Sequence, residues 1–242
     1  MRIRRRGEPP GPPGQPGTGP GGAGRQEQGD RGGLIAGPGC VRHRLRADAA
    51  RNRDAIVAAA KEVFAAQGLS ASLEEIAARA GVGIGTLYRR FPARRDLIAA
   101  ALACQVAEYA AAAERGRAAG DAWAGLAGFV ERTCELQASD RGLAELLAGA
   151  QPADRADRAD AADRADEEVA RLLCAAAGDV DAMIGRAKAE GGLRADFTSA
   201  DLTLVLIAAG AVMHVGRADA PDAWRRFLEL TMEGFHAIHA QR

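Results

Sequence analysis

The sequence predicts an all-α fold, and three observations predict it. Ser72 to Phe91 reads as two short helices joined by a glycine turn. Apolar residues recur at helical spacing through much of the remaining chain. The last two segments, Asp201 to Val215 and Asp222 onward, are apolar over so broad a face that other helices must cover them.

In chain order, residues 1–46 are rich in Gly, Pro and Arg with hardly an apolar residue to bury, so a disordered tail is expected there. Its first residues, MRIRRR, lack the apolar core of a signal peptide. A basic arm can follow a minor groove or add nonspecific phosphate attraction. The other reading is a plain unstructured extension.

Ser72 with Glu75 three residues later forms a capping box pattern, which starts a helix. Leu73, Ile76, Ala77 and Ala80 give that helix one apolar face, and Gly81 supplies the positive φ that ends it. Val82 plugs the turn, Gly83 takes the next N-cap, and Ile84 to Phe91 forms about two turns before Pro92 stops the helix. Leu87 and Phe91, four apart, are its core-facing pair. A basic, aromatic second helix after a glycine turn is the layout of a helix-turn-helix DNA reader.

The segment from about Arg51 to Leu102 resembles the DNA-binding domain of the TetR family of transcriptional regulators. Phe64 and Gly68 match the F-x-x-x-G that ends the family's first helix. Ile76, Ala77, Ala80, Gly81, Val82, Gly85, Thr86, Leu87, Tyr88, Phe91 and Leu97 match the I-A-x-x-A-G-V-S-x-G-T-L-Y-x-x-F pattern and its following leucine. Gly83 replaces the usual serine, Ala93 a small polar cap and Arg94 a lysine. A Gly cap is a few tenths of a kcal/mol poorer than Ser, whereas Ala is about 0.5–2 kcal/mol poorer, so only Ala93 weakens the frame noticeably.

A recognition helix sets its N-terminal residues against base edges while groups at its margins hold phosphates. Thr86, Tyr88 and Arg94 are the expected phosphate clamps, and the resemblance implies the same three positions. Gly83, Ile84, Gly85, Leu87 and Arg89 lie nearest the groove, where Arg89 alone can bond a guanine bidentately. A core place for Tyr88, a solvated or intramolecular place for Arg90, and a merely charged helix start at Arg94–Asp96 remain open. The implied partner is double-stranded DNA.

Formal net charge is zero, but unevenly spread: nine basic residues face three acidic ones in 1–46, eight face six in 47–103, and fifteen face twenty-three in 104–242. A basic N-terminal part and an acidic remainder suit a DNA-facing end on a body that stays off the phosphates. The expected division is a tail over 1–46, a DNA-binding domain over 47–102 and a helical ligand-binding and dimerisation domain over 103–242.

In that last domain, helices are expected over about Arg94 to Arg117, Asp121 to Ala138 and Arg141 to Ala150. The repetitive stretch 153–166 carries Asp154/Arg158 and Asp160/Arg164 pairs, so it is either a solvated helix running into 167–190 or a flexible insert. Asp222 should cap the final helix, whose stripe is Trp224, Phe227, Leu228, Thr231, Phe235 and Ile238. The resemblance implies that the last two helices pair with a second copy. Trp123, Phe129, Cys134, Met183, Met213 and His214 are the expected lining of a mostly apolar effector pocket with sparse polar groups; plain core or dimer contacts are the alternative.

Four dispersed cysteines without a C-x-x-C pair fit free thiols in a reducing cytoplasm. No run approaches 18 unbroken apolar residues, so no membrane span is expected. His236 and His239 have metal-compatible spacing, but no completing ligands lie near, so neither metal nor cofactor is expected. There is no G-x-S-x-G and no phosphate-binding glycine loop, which argues against an enzyme. The expectation is a homodimeric, ligand-responsive regulator, more a repressor than an activator, on a palindromic operator. The rival is an interaction adaptor that lost DNA binding, and Thr86, Tyr88, Arg89 and Arg94 together speak against it.

Overall fold

The computed structural model describes residues 38–149, 164–216 and 220–236. Among these the helices are α1 (Pro38–Gln67), α2 (Leu73–Arg79), α3 (Ile84–Arg90), α4 (Arg94–Ala118), α5 (Ala122–Ser139), α6 (Arg141–Gly149), α7 (Arg164–Ala189), α8 (Ser199–Gly216) and α9 (Ala223–Phe235). The expected all-α fold is present, with one isolated antiparallel bridge between Leu193 and His236.

Three differences from the sequence-based expectations concern boundaries and caps. The described part of α1 already begins at Pro38, inside the stretch expected to be disordered, because no Gly or Pro follows Gly39 before the helix ends. Ser72 does cap α2, accepting from the Glu74 and Glu75 amides at 3.1 and 3.3 Å, but the reciprocal arm is absent. Glu75 instead accepts from Gln67 Nε2 at 2.7 Å, and the Ser72 hydroxyl donates to Glu74 at 2.7 Å. That hydroxyl holds the Glu74 carboxyl below its ordinary pKa. Asp222 makes no side-chain cap on α9; it faces Arg225 Nε at 3.6 Å. Residues 150–163, which contain most of the repetitive stretch, lie outside the described residues, as do 1–37, Ile238 and His239.

The first three helices and the start of α4 share one core: Ile56, Val63, Phe64, Ile76, Leu87, Phe91 and Leu97 are buried together. Gly81 has φ +69°, the left-handed turn that releases α2. Ala93 lacks a capping side chain, as its sequence implied, yet Asp96 one turn into α4 accepts from the Ala93 amide at 3.1 Å and restores half of a capping box.

α4 then runs into the body, packed against α5 and α7. By length and composition it could cross a membrane, but it is the central helix of this bundle, where such a composition is ordinary. The body core gathers Leu126, Phe129, Val130, Cys134, Met183, Val205, Trp224 and Leu228. α8 opens on a full capping box: Thr198 Oγ1 accepts from the Asp201 amide at 3.3 Å and Asp201 accepts from the Thr198 amide at 2.7 Å.

A third cluster joins the two ends. Leu102 and Val106 of α4, Leu136 of α5 and Leu143 of α6 are buried together, and Leu69, from the loop after α1, packs on both this cluster and the N-terminal core. That loop is gripped from two sides. Glu145 of α6 accepts from the Leu69 amide at 2.7 Å, while its other oxygen accepts from Arg141 at 2.9 Å. Gly68 has φ +87°, and a Cβ there would fall onto the Glu145 carboxylate, 2.6 Å from Cδ. Gly142 similarly lets α6 lie on α1, since a Cβ at that position would sit 3.1 Å from Cβ of Phe64.

Candidate nucleic-acid interface and effector cavities

α3 is held from beneath and open above. Leu87 and Phe91 are buried in the N-terminal core, as their four-residue spacing requires. Leu87 therefore anchors the helix, and of the two places the sequence suggested for it, the groove contact is ruled out by complete burial. The opposite face is exposed: Ile84 at 36%, Tyr88 at 49%, with Gly83, Gly85, Arg89 and Arg90 alongside. Tyr88 is thus no core aromatic. Thr86 is half-buried, and its hydroxyl accepts from Arg89 at 3.4 Å, which folds the guanidinium toward the N-terminal end of α3.

A Cβ added at Gly83 or Gly85 would meet nothing within 4 Å among the described residues. Gly83 is the N-cap of α3, where glycine is nearly as good as serine; Gly85 lies inside the helix, where glycine is about 1 kcal/mol less favourable than alanine.

Arg94 is oriented differently from the expected clamp. Its guanidinium turns inward, donating to the carbonyls of both Leu69 and Ala71, and lies 5.8 Å from the Phe64 ring centroid. The reason is geometric. Placed at the first turn of α4, a planar fork reaches two carbonyls of the loop after α1 that have no helical partner. Arg90 remains exposed, and Arg95 lies 3.8 Å from Asp96 and 4.0 Å from Asp166.

The six expected effector residues do not surround one space. Cys134 and Met183 are buried in the body core. Phe129 stacks against Tyr109 with ring centroids 5.5 Å apart and edges an open hollow of about 530 Å³. Trp123 meets His236 edge-on at 4.9 Å. Met213 and His214 border a small cavity of about 260 Å³ with Gln137 and Arg141. Helical periodicity identifies an apolar face but not which of its members borders a void.

Burial pushes the Cys134 thiol up to about 12, so it stays protonated near neutrality. In the folded protein at pH 8, iodoacetamide is expected to label the exposed Cys104 and Cys174 and to spare Cys134. Peptide mapping of the alkylated protein checks this; equal labelling of Cys134 would mean the body core opens readily.

A further cavity, partly open and about 460 Å³, lies between α4, α5, α6, α7 and α8. Tyr109, Leu147, Leu173, Val180, Leu202 and Leu206 form much of its wall. Gln137 borders it from α5 and is buried. Gln137 is absent from the lining expected on sequence; its signal is a polar residue three positions beyond Cys134 on a buried face of α5 whose other polar member, Thr133, donates to the Phe129 carbonyl at 2.8 Å.

The family model for bacterial regulatory proteins of the tetR family matches residues 56–101, and that for the SbtR-like transcriptional regulator C-terminal domain matches 120–237. Among curated proteins, none matches the chain. Among solved structures, a TetR transcriptional regulator of Streptomyces coelicolor is 32% identical, with 76% of this chain and 98% of that one covered and a TM-score of 0.46. A TetR transcription regulatory protein of Mycobacterium vanbaalenii is 28% identical, covering 79% and 99%, with a TM-score of 0.43. The transcriptional regulator FadR of Bacillus subtilis, solved with stearoyl-CoA, shares the fold at 18% identity, covering 75% and 98%, with a TM-score of 0.51. Matched in both its N-terminal and C-terminal parts, the chain belongs to the TetR family of DNA-binding transcriptional regulators.

Proposed function

We propose that the protein is a homodimeric repressor that reads a palindromic operator through α3 and is released from it by a small, mostly apolar effector. The observation that carries the DNA-reading part is the exposed face of α3: Ile84, Tyr88 and Arg89 stand clear, while the N-cap Gly83 and the helical Gly85 leave room for a close partner. In this reading residues 47–102 are the reading head and 103–242 the regulatory body. Gly83, Ile84 and Gly85 border the groove, Thr86 and Tyr88 hold phosphates, and Arg89 reads a base. Arg94 acts through the loop that it ties.

The dimer surface is α8 with α9. Leu204, Val215 and Leu230 are exposed at 64%, 84% and 53%, an unusual amount of large apolar surface for two neighbouring helices. The effector part is supported by the 460 Å³ cavity in the body and by α6. Its C-terminal Leu147 and Ala148 border the cavity, while Gly142 and Glu145 rest on the head. The FadR of Bacillus subtilis binds stearoyl-CoA in its solved form.

Two replacements test the reading head. Gly85→Ala is expected to stabilise the fold by about 0.5–1 kcal/mol while weakening DNA binding, a combination that only an external contact produces. Arg89→Ala should weaken binding by about 1–3 kcal/mol and relax preference at one base position. Selection of bound fragments from random duplexes, with sequencing, reads both. Half-site centres are expected about 34–36 Å apart, or a multiple of that spacing. A folded dimer that retains no duplex at low salt would leave the adaptor reading in its place.

A further inference from the structure

Resting on the effector reading above, we infer that the cavity between α4, α5, α7 and α8 takes a neutral, mostly apolar molecule bearing a hydroxyl or amide N–H, recognised by Gln137, and excludes carboxylates and phosphates. The volume, about 460 Å³, is within the ordinary range for small-molecule sites. The wall is aliphatic and aromatic, with the half-buried Tyr109 adding a hydroxyl, and Asp181, Ser199 and Thr203 belong to exposed or half-exposed positions at the rim. Gln137 is different: it is 6% exposed. Its Oε1 has no hydrogen-bond partner among the described residues.

A buried amide oxygen without a donor is unfavourable and is usually explained by a missing partner. A hydroxyl or N–H entering the cavity supplies that donor. A hydroxyl can also accept from Nε2 of the same carboxamide, whereas an ether or a carboxylate can only accept. Charge narrows the class further. Among the described residues lining the cavity there is no Lys, Arg or His, and the carboxylate present is Asp181. An anion brought here loses its hydration, gains no countercharge and faces a like charge at the rim. The two other hollows carry cations, Arg115 and Arg132 in one, Arg141 and His214 in the other; Gln137 also borders that last, smaller hollow, whereas Ala177 borders only the proposed site, so Ala177→Leu tells the two apart.

Three matched probes separate these features: 4-hexylphenol, 4-hexylanisole and 4-hexylbenzoate, titrated calorimetrically into the full chain without DNA. The phenol is expected to bind about three- to tenfold more tightly than the anisole, the worth of one hydrogen bond, and the benzoate more weakly than either. Gln137→Met keeps the length and removes the polar group, so it should bring phenol and anisole within about twofold of each other. Should that variant prove unfolded by circular dichroism, Ala177→Leu, which narrows the cavity from α7, is expected to weaken the phenol about tenfold. Equal or tighter binding of the benzoate, a phenol preference that survives Gln137→Met, phenol affinity unchanged by Ala177→Leu, or no binding of any probe up to its solubility limit overturns the assignment. A phenol bound with the expected selectivity that leaves affinity for selected duplexes unchanged removes effector release and leaves the cavity assignment intact. Release of DNA by the benzoate, without phenol selectivity, does the reverse.

Discussion

Replacing the buried Gly68 by alanine is expected to destabilise the protein by about 2–4 kcal/mol, a large effect for a single loop residue. Two causes act together. The residue sits at φ +87°, where a side chain is strained, and its Cβ would occupy the place of the Glu145 carboxylate. Displacing that carboxylate also removes the acceptor of the Leu69 amide. Thermal unfolding followed by circular dichroism should show a melting temperature lowered by roughly 5–15 °C. Adding Glu145→Ala should relieve the collision, so the double variant loses less than the two single losses combined. A Gly68→Ala protein melting within about 2 °C of the parent would mean that the loop tolerates the side chain by moving off α6.

Arg94→Ala is expected to have an effect of similar size by another route. It leaves the carbonyls of Leu69 and Ala71 without their charged donor at a partly buried site, a loss of about 2–4 kcal/mol. Lysine should not rescue it, because a single ammonium on a flexible stem lacks the fork that spans two carbonyls. DNA binding supplies the discriminating measurement. A residue that touched a phosphate would lower the salt slope by about one unit when removed. The inward guanidinium predicts instead an unchanged slope between about 50 and 200 mM salt with a lower melting temperature. A reduced slope with normal stability would return Arg94 to the phosphate.

The contrast between Arg94 and Leu87 shows what the sequence could and could not resolve. Local signals were readable because their physics is local: Ser72 capping α2, Gly81 turning left-handed, Leu87 and Phe91 facing one core at four-residue spacing. The direction of Arg94 depends on the carbonyls of Leu69 and Ala71, more than twenty positions away, which no periodicity encodes. Glu145 misleads in the same way. Beside Arg141 it looks like an ordinary i,i+4 surface pair, yet its second oxygen holds an amide 76 positions earlier. The six residues expected around one effector space are dispersed for a related reason. Cys134 and Met183 lie on apolar faces but are fully enclosed by neighbours, while Gln137, a buried polar residue of α5, stands at the void.

The contact between α6 and the loop after α1 bears on how such regulators can be recombined. A reading head grafted from a relative onto this body carries its own residue at position 68, and only glycine leaves space for the carboxylate that α6 presents. The reciprocal graft, this head on a foreign body, loses its acceptor for the Leu69 amide unless a carboxylate stands at the place of Glu145 and a glycine at that of Gly142. A crossover drawn at the sequence boundary near residue 102 therefore separates residues that fit only as a set. Interchangeable parts would have to be cut by contact, with the first turns of α6 travelling together with the head.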